Sequence, residues 1–83
     1  MDYEGVYAEK IKGHRRALLL ERYSRGKRFA CSLVNIAGRR GDFVVTTREY
    51  HDVYGGIQLI KRHEVSLASV FCGDAVFIPL DDE

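Results

Sequence analysis

Hydrophobic positions change their period along this chain. From Phe29 onward they alternate: Phe29, Cys31 and Leu33 fall on one side, and Ala30, Ser32, Val34 and Ile36 on the other. A period of two predicts a strand with two usable faces. Ala37, Gly38, Arg39 and Arg40 read as a turn. Phe43, Val44, Val45, Thr46 and Thr47 are aromatic or β-branched and predict a second strand. Gly55 and Gly56 open a third stretch that bends or bulges, in which Ile57 and Leu59 alternate with Gln58. Val65, Leu67, Ser69 and Phe71 make one face of a fourth strand over residues 65–71. Gly73 and Asp74 form a tight turn, and residues 75–78 a short fifth strand stopped by Pro79.

Before Phe29 the pattern is helical. Ala17, Leu18, Leu19, Leu20 and Tyr23 predict a helix over residues 14–25, with Gly26 where a left-handed end is wanted. The competing reading is a strand running into a hairpin at Ser24, Arg25, Gly26 and Lys27. In the lead-in, Tyr3, Val6, Tyr7 and Ile11 share one side of a short helix, which Gly5 and Gly13 weaken. One helix followed by five short strands predicts an all-β fold, a small, strongly bent five-stranded barrel of SH3-like type with an N-terminal α-helix. The expected division is an extension (1–13), a barrel domain (14–80) and an acidic tail (81–83). The expected core includes Phe29, Leu33, Phe43, Leu67 and Val76.

At 83 residues, 46% hydrophobic and 30% charged, the chain has the composition of one small globule and not of a disordered segment. No apolar run approaches the roughly 18 residues of a membrane-spanning helix, and the acidic, aromatic start does not read as a secretory signal. Net charge is +1, but residues 9–28 carry eight basic side chains against Glu9 and Glu21. Arg15, Arg16 and Arg22 belong to this run. Such a stretch makes either a phosphate-facing patch or a solvated, partner-facing face. Cys31 and Cys72 stand far apart outside any C-x-x-C, which predicts buried, reduced thiols in an intracellular protein. His14, His51 and His63 have no metal-ligand spacing. No nucleophile pair or phosphate-cradling glycine loop is legible, so neither an enzyme nor a cofactor is expected.

Residues 17–80 resemble the Sm/LSm/Hfq superfamily. The first motif is carried by Leu19-Leu20-Glu21-Arg22-Tyr23, Gly26-Lys27-Arg28-Phe29 and Leu33-Val34-Asn35, with Gly41 at the glycine that lets the second strand curl. The second is Val70-Phe71-Cys72-Gly73-Asp74-Ala75-Val76-Phe77-Ile78. The resemblance implies pairing of one subunit's fourth strand with its neighbour's fifth. The interface would then be Val65, Leu67, Ser69, Phe71, Ala75, Val76, Phe77 and Ile78.

The departures fall on the positions that grip uridine-rich RNA in that superfamily. Thr47 and His51 stand at the Asp and Asn positions, Arg48 and Glu49 occupy the stacking region, and Cys72 replaces the arginine. This resembles degenerate Sm-fold subunits of the Gemin type in the SMN complex, which keep the barrel and lose the RNA pocket. The implied function is a non-catalytic assembly subunit of a snRNP-assembly machinery in mRNA processing, in the cytoplasm or nucleus. Its partner would be another Sm-fold protein. No membrane and no small-molecule substrate are expected, and RNA association is weak or indirect. Residual RNA contacts would come from Arg48, His51, Cys72, Gly73, Arg15, Arg16 and Arg22. The alternatives are an RNA-binding LSm/Hfq-like ring subunit, to which Lys61-Arg62-His63-Glu64-Val65-Ser66 is similar, and a small viral or bacterial inhibitor of a partner protein.

Overall fold

The computed structural model describes residues 2–22 and 29–80. The order of elements is α1 (Tyr3–Lys10), β1 (Arg16–Arg22), β2 (Phe29–Arg40), β3 (Phe43–His51), β4 (Ile57–Ser66), α2 (Leu67–Cys72) and β5 (Ala75–Pro79). The five antiparallel strands form one sheet in the order β4-β3-β2-β1-β5.

The expected strand count and leading helix are present, but several elements move. Residues 16–22 form a strand, not the expected helix. Leucine and alanine favour helix only weakly, and pairing on both sides, with β2 and β5, outweighs that preference. The alternative strand reading holds; its hairpin at residues 24–27 lies outside the described residues. The short helix expected in the lead-in is present, over Tyr3–Lys10. Asp2 caps it, its carboxylate accepting from the Gly5 amide at 2.9 Å, and Tyr3, Val6 and Tyr7 pack on the core.

The expected turn at residues 37–40 is instead the far end of β2. The register slips between Ile36 and Gly38, leaving Ala37 as the extra residue of a bulge, and the chain turns at Gly41 and Asp42. Gly41, with φ +58, therefore serves the turn and does not curl a strand. The expected fourth strand breaks at Ser66. Its hydroxyl accepts from the Ala68 amide at 3.1 Å and starts α2, so Leu67, Ser69 and Phe71 are helical. Gly73 ends α2 at φ +89, as the expected turn requires. A Cβ there would meet nothing within 4 Å. Gly73→Ala should therefore cost only the left-handed backbone penalty, about 1–2 kcal/mol, read by urea unfolding.

The core joins Ile11, Ala17, Leu19, Val34, Val44, Val65, Leu67, Val70, Ala75 and Phe77. Of the five expected core residues only Leu67 is buried; Phe29, Leu33, Phe43 and Val76 are exposed. The alternation in β2 was real, but its other face points inward. Cys31 and Cys72 are likewise exposed. Thr46 is fully buried, and its hydroxyl donates to the His63 carbonyl at 3.0 Å, which ties β3 to β4.

The sheet is strongly curled. Glu21 on β1 lies three strands from β4, about 14 Å away in a flat sheet. Yet its Oε2 meets His63 Nε2 at 2.9 Å. Among the described residues β4 and β5 do not pair, so the sheet curls without closing.

Candidate functional site

Backbone geometry defines the two sheet edges. The Leu67 amide donates to the Asp42 carbonyl at 2.8 Å. In an antiparallel ladder the backbone groups of alternate residues then face the partner strand. Residues 59, 61, 63 and 65 turn theirs toward β3, and Ile60, Arg62 and Glu64 turn theirs away from the sheet. On the other side, the Arg22 amide donates to Asp74 and the Leu80 amide to Arg16. By the same alternation, Ala75 and Phe77 direct their amides to the free edge of β5, and Pro79 has none to offer. Exposed Arg62 and Glu64 mark the β4 edge, whereas β5 is short and apolar.

The register also sorts side chains by face. On the outer face, Leu33, Leu18 and Ile78 form one row across β2, β1 and β5, and Cys31, Leu20 and Val76 form the next. Leu33, Val76 and Ile78 are 54%, 40% and 44% exposed. Arg16 lies beyond one end of these rows. At the other end the Arg22 guanidinium lies 5.3 Å from the centre of the Phe29 ring and 3.8 Å from Asp74. The result is an apolar strip that runs to the free edge of β5.

The expected interface residues divide accordingly. Val76 and Ile78 are exposed at that edge, but Ala75 and Phe77 turn their side chains into the core and offer only backbone. Val65 and Leu67 are buried, Ser69 is partly covered, and Phe71 is exposed on α2. No edge strand therefore runs over residues 65–71.

The expected RNA-contact residues do not converge. Arg16 and His51 share an outer-face cavity with Leu33, Asn35 and Glu49, where His51 lies 3.5 Å from Glu49. Arg48 points to the inner face, 4.0 Å from Glu21. Cys72 and Gly73 end α2, where the Cys72 thiol donates to Asp74 at 3.3 Å. Arg22 lies near Asp74 instead, and Arg15 gives its carbonyl to the Ile36 amide.

The sequence reading missed the outer leucines and Tyr50 with Lys61. The three consecutive leucines at 18–20 were the available signal, since a strand covered on both faces is apolar throughout. Among the described residues no three His, Cys, Asp or Glu side chains group as metal ligands, and no helix is long and apolar enough to cross a membrane. Compared with family models, curated proteins and solved structures, the chain matches none.

Proposed function

We propose that this chain is a non-catalytic assembly subunit that joins another protein of its own kind, edge to edge, through β4 and β5. The observation that carries this reading is the strand order. It leaves β4 and β5 as the two free edges of one curled sheet, with an exposed apolar strip adjoining β5. Added strands bind by main-chain hydrogen bonds, and neighbouring apolar side chains strengthen the contact. Joining β4 of one copy to β5 of the next is head-to-tail and builds rings or open chains. The same arrangement is what the Sm resemblance implies, with barrel closure completed between subunits. On that resemblance the partner is an Sm-fold protein, and the setting is a ribonucleoprotein assembly machinery of the cytoplasm or nucleus.

Native mass spectrometry of the protein alone tests the pairing. Ile60 is exposed and turns its amide away from the sheet, so proline there removes only an outward donor. Ile60→Pro should weaken self-association about ten- to a hundredfold, as loss of a buried hydrogen bond does. Ile60→Ala, which keeps the amide, should retain most of it. A chain that stays monomeric at high concentration overturns pairing between its own copies and leaves a different Sm-fold partner, and an Ile60→Pro variant that assembles normally overturns the edge assignment. A closed ring that takes up uridine-rich RNA would instead favour the LSm/Hfq-like alternative.

A further inference from the structure

The inner face of the sheet carries charge that its own partners do not balance. Arg48 on β3 and Lys61 on β4 stand directly opposite one another. Like charges in that position destabilise a sheet. Neither cation is well compensated. Arg48 reaches Glu21 only at 4.0 Å, and Glu21 is already engaged at 2.9 Å by His63. Arg48 Nε is shut off from solvent and has no hydrogen-bond partner among the described residues. The described contact of the Lys61 ammonium is the Tyr50 ring, 5.7 Å from its centre. Arg48, Tyr50, Lys61, Arg62 and His63 together line an open cavity of about 230 Å³.

We propose that this cavity binds a nucleotide phosphate, with the attached base against Tyr50. An anion between Arg48 and Lys61 would relieve their repulsion through the exposed ends of the two side chains. Phosphate oxygens suit a planar guanidinium and an adjacent ammonium, because charge-assisted hydrogen bonds to them are short and strong. Tyr50 is partly exposed at the same rim and offers a ring face on which a flat base stacks. A phosphate beside a base occurs in a free mononucleotide and in a single strand alike. Arg48 and Lys61 act through inner-face side chains, whereas the edge pairing proposed above uses outward backbone groups of β4; Arg62 borders both.

Titrations followed by amide NMR at constant ionic strength test this, using inorganic phosphate, adenosine, adenosine 5′-monophosphate and a short adenine oligonucleotide as probes. Phosphate should shift the resonances of Arg48, Lys61 and His63. The monophosphate should bind about tenfold tighter than phosphate, as roughly 1.4 kcal/mol of stacking provides, and tighter than adenosine, which lacks the phosphate that Arg48 and Lys61 hold. Tyr50→Leu should remove that advantage and leave phosphate binding intact. Lys61→Glu should abolish binding by all anions while raising Tm, because it turns a repulsive cross-strand pair into an attractive one. Tighter binding of the oligonucleotide assigns the source to a strand, and equal binding assigns it to the mononucleotide. Absence of shifts at these residues, a monophosphate no tighter than phosphate, or a Lys61→Glu variant that is less stable or still binds overturns the proposal.

Discussion

Leu19→Ala should destabilise the folded chain by about 2–5 kcal/mol, while Leu33→Ala should change it by no more than about 0.5 kcal/mol. The two leucines lie on neighbouring strands but on opposite faces of the sheet. Leu19 is fully buried in the core, directly across from Phe77 on β5, and its truncation leaves a cavity that a close-packed interior fills poorly. Leu33 is 54% exposed and already meets water on the outer face. For a domain of this size, total stability is on the order of 4–12 kcal/mol. Leu19→Ala therefore removes a large share of it, and urea unfolding separates the two variants readily. Equal losses would mean that the outer face is as well covered as the inner one.

Ile11→Ala should cost a comparable amount, about 2–5 kcal/mol, but with a local signature. Eight residues are too few for a helix to persist in water by itself. What holds α1 is the packing of Tyr3, Val6 and Tyr7 on the core, with fully buried Ile11 just beyond its end, and Arg39 over the Tyr7 ring at 5.7 Å. Loss of Ile11 removes the anchor at that end. Hydrogen exchange should then show faster opening across Tyr3–Lys10 than across β2 and β3, where ladder bonds remain. Uniform acceleration through the sheet would make Ile11 part of the global unfolding unit and α1 no separate piece.

Much of the β architecture was legible because its signals are local. The strand starting at Phe43, the turn at Gly73 and Asp74, and the strand stopped at Pro79 follow from β-branching, positive φ and a missing amide, which do not depend on distant partners. Residues 16–22 were not legible in the same way. A run of three leucines satisfies a buried helix and a two-sided strand equally, and only the places of β2 and β5 beside it decide. The break at Ser66 is similar. Val65, Leu67, Ser69 and Phe71 alternate as a strand would, but Ser66 as an N-cap and the burial of both Leu67 and Val70 turn the chain into α2. The candidate edges were half legible. Residues 75–78 are an edge strand, while the other edge lies earlier, over Ile57–Ser66, where charged residues disguised it.

The sequence by itself determined that this chain is mostly β, that a helix precedes the strands, and that the apolar strand at residues 75–78 follows a Gly-Asp turn. Those properties rest on periodicity and on the conformational limits of single residues. Tertiary structure alone decided which face of β2 is the core, which strands are edges, and that Arg48 and His63 gather around Glu21. A period-two pattern is unchanged when the two faces are exchanged, so Leu33 and Val34 compete for the interior until the sheet curls and α1 covers one side. Glu21 and His63 stand 42 positions apart in the chain, and only the curl of the sheet brings their side chains together.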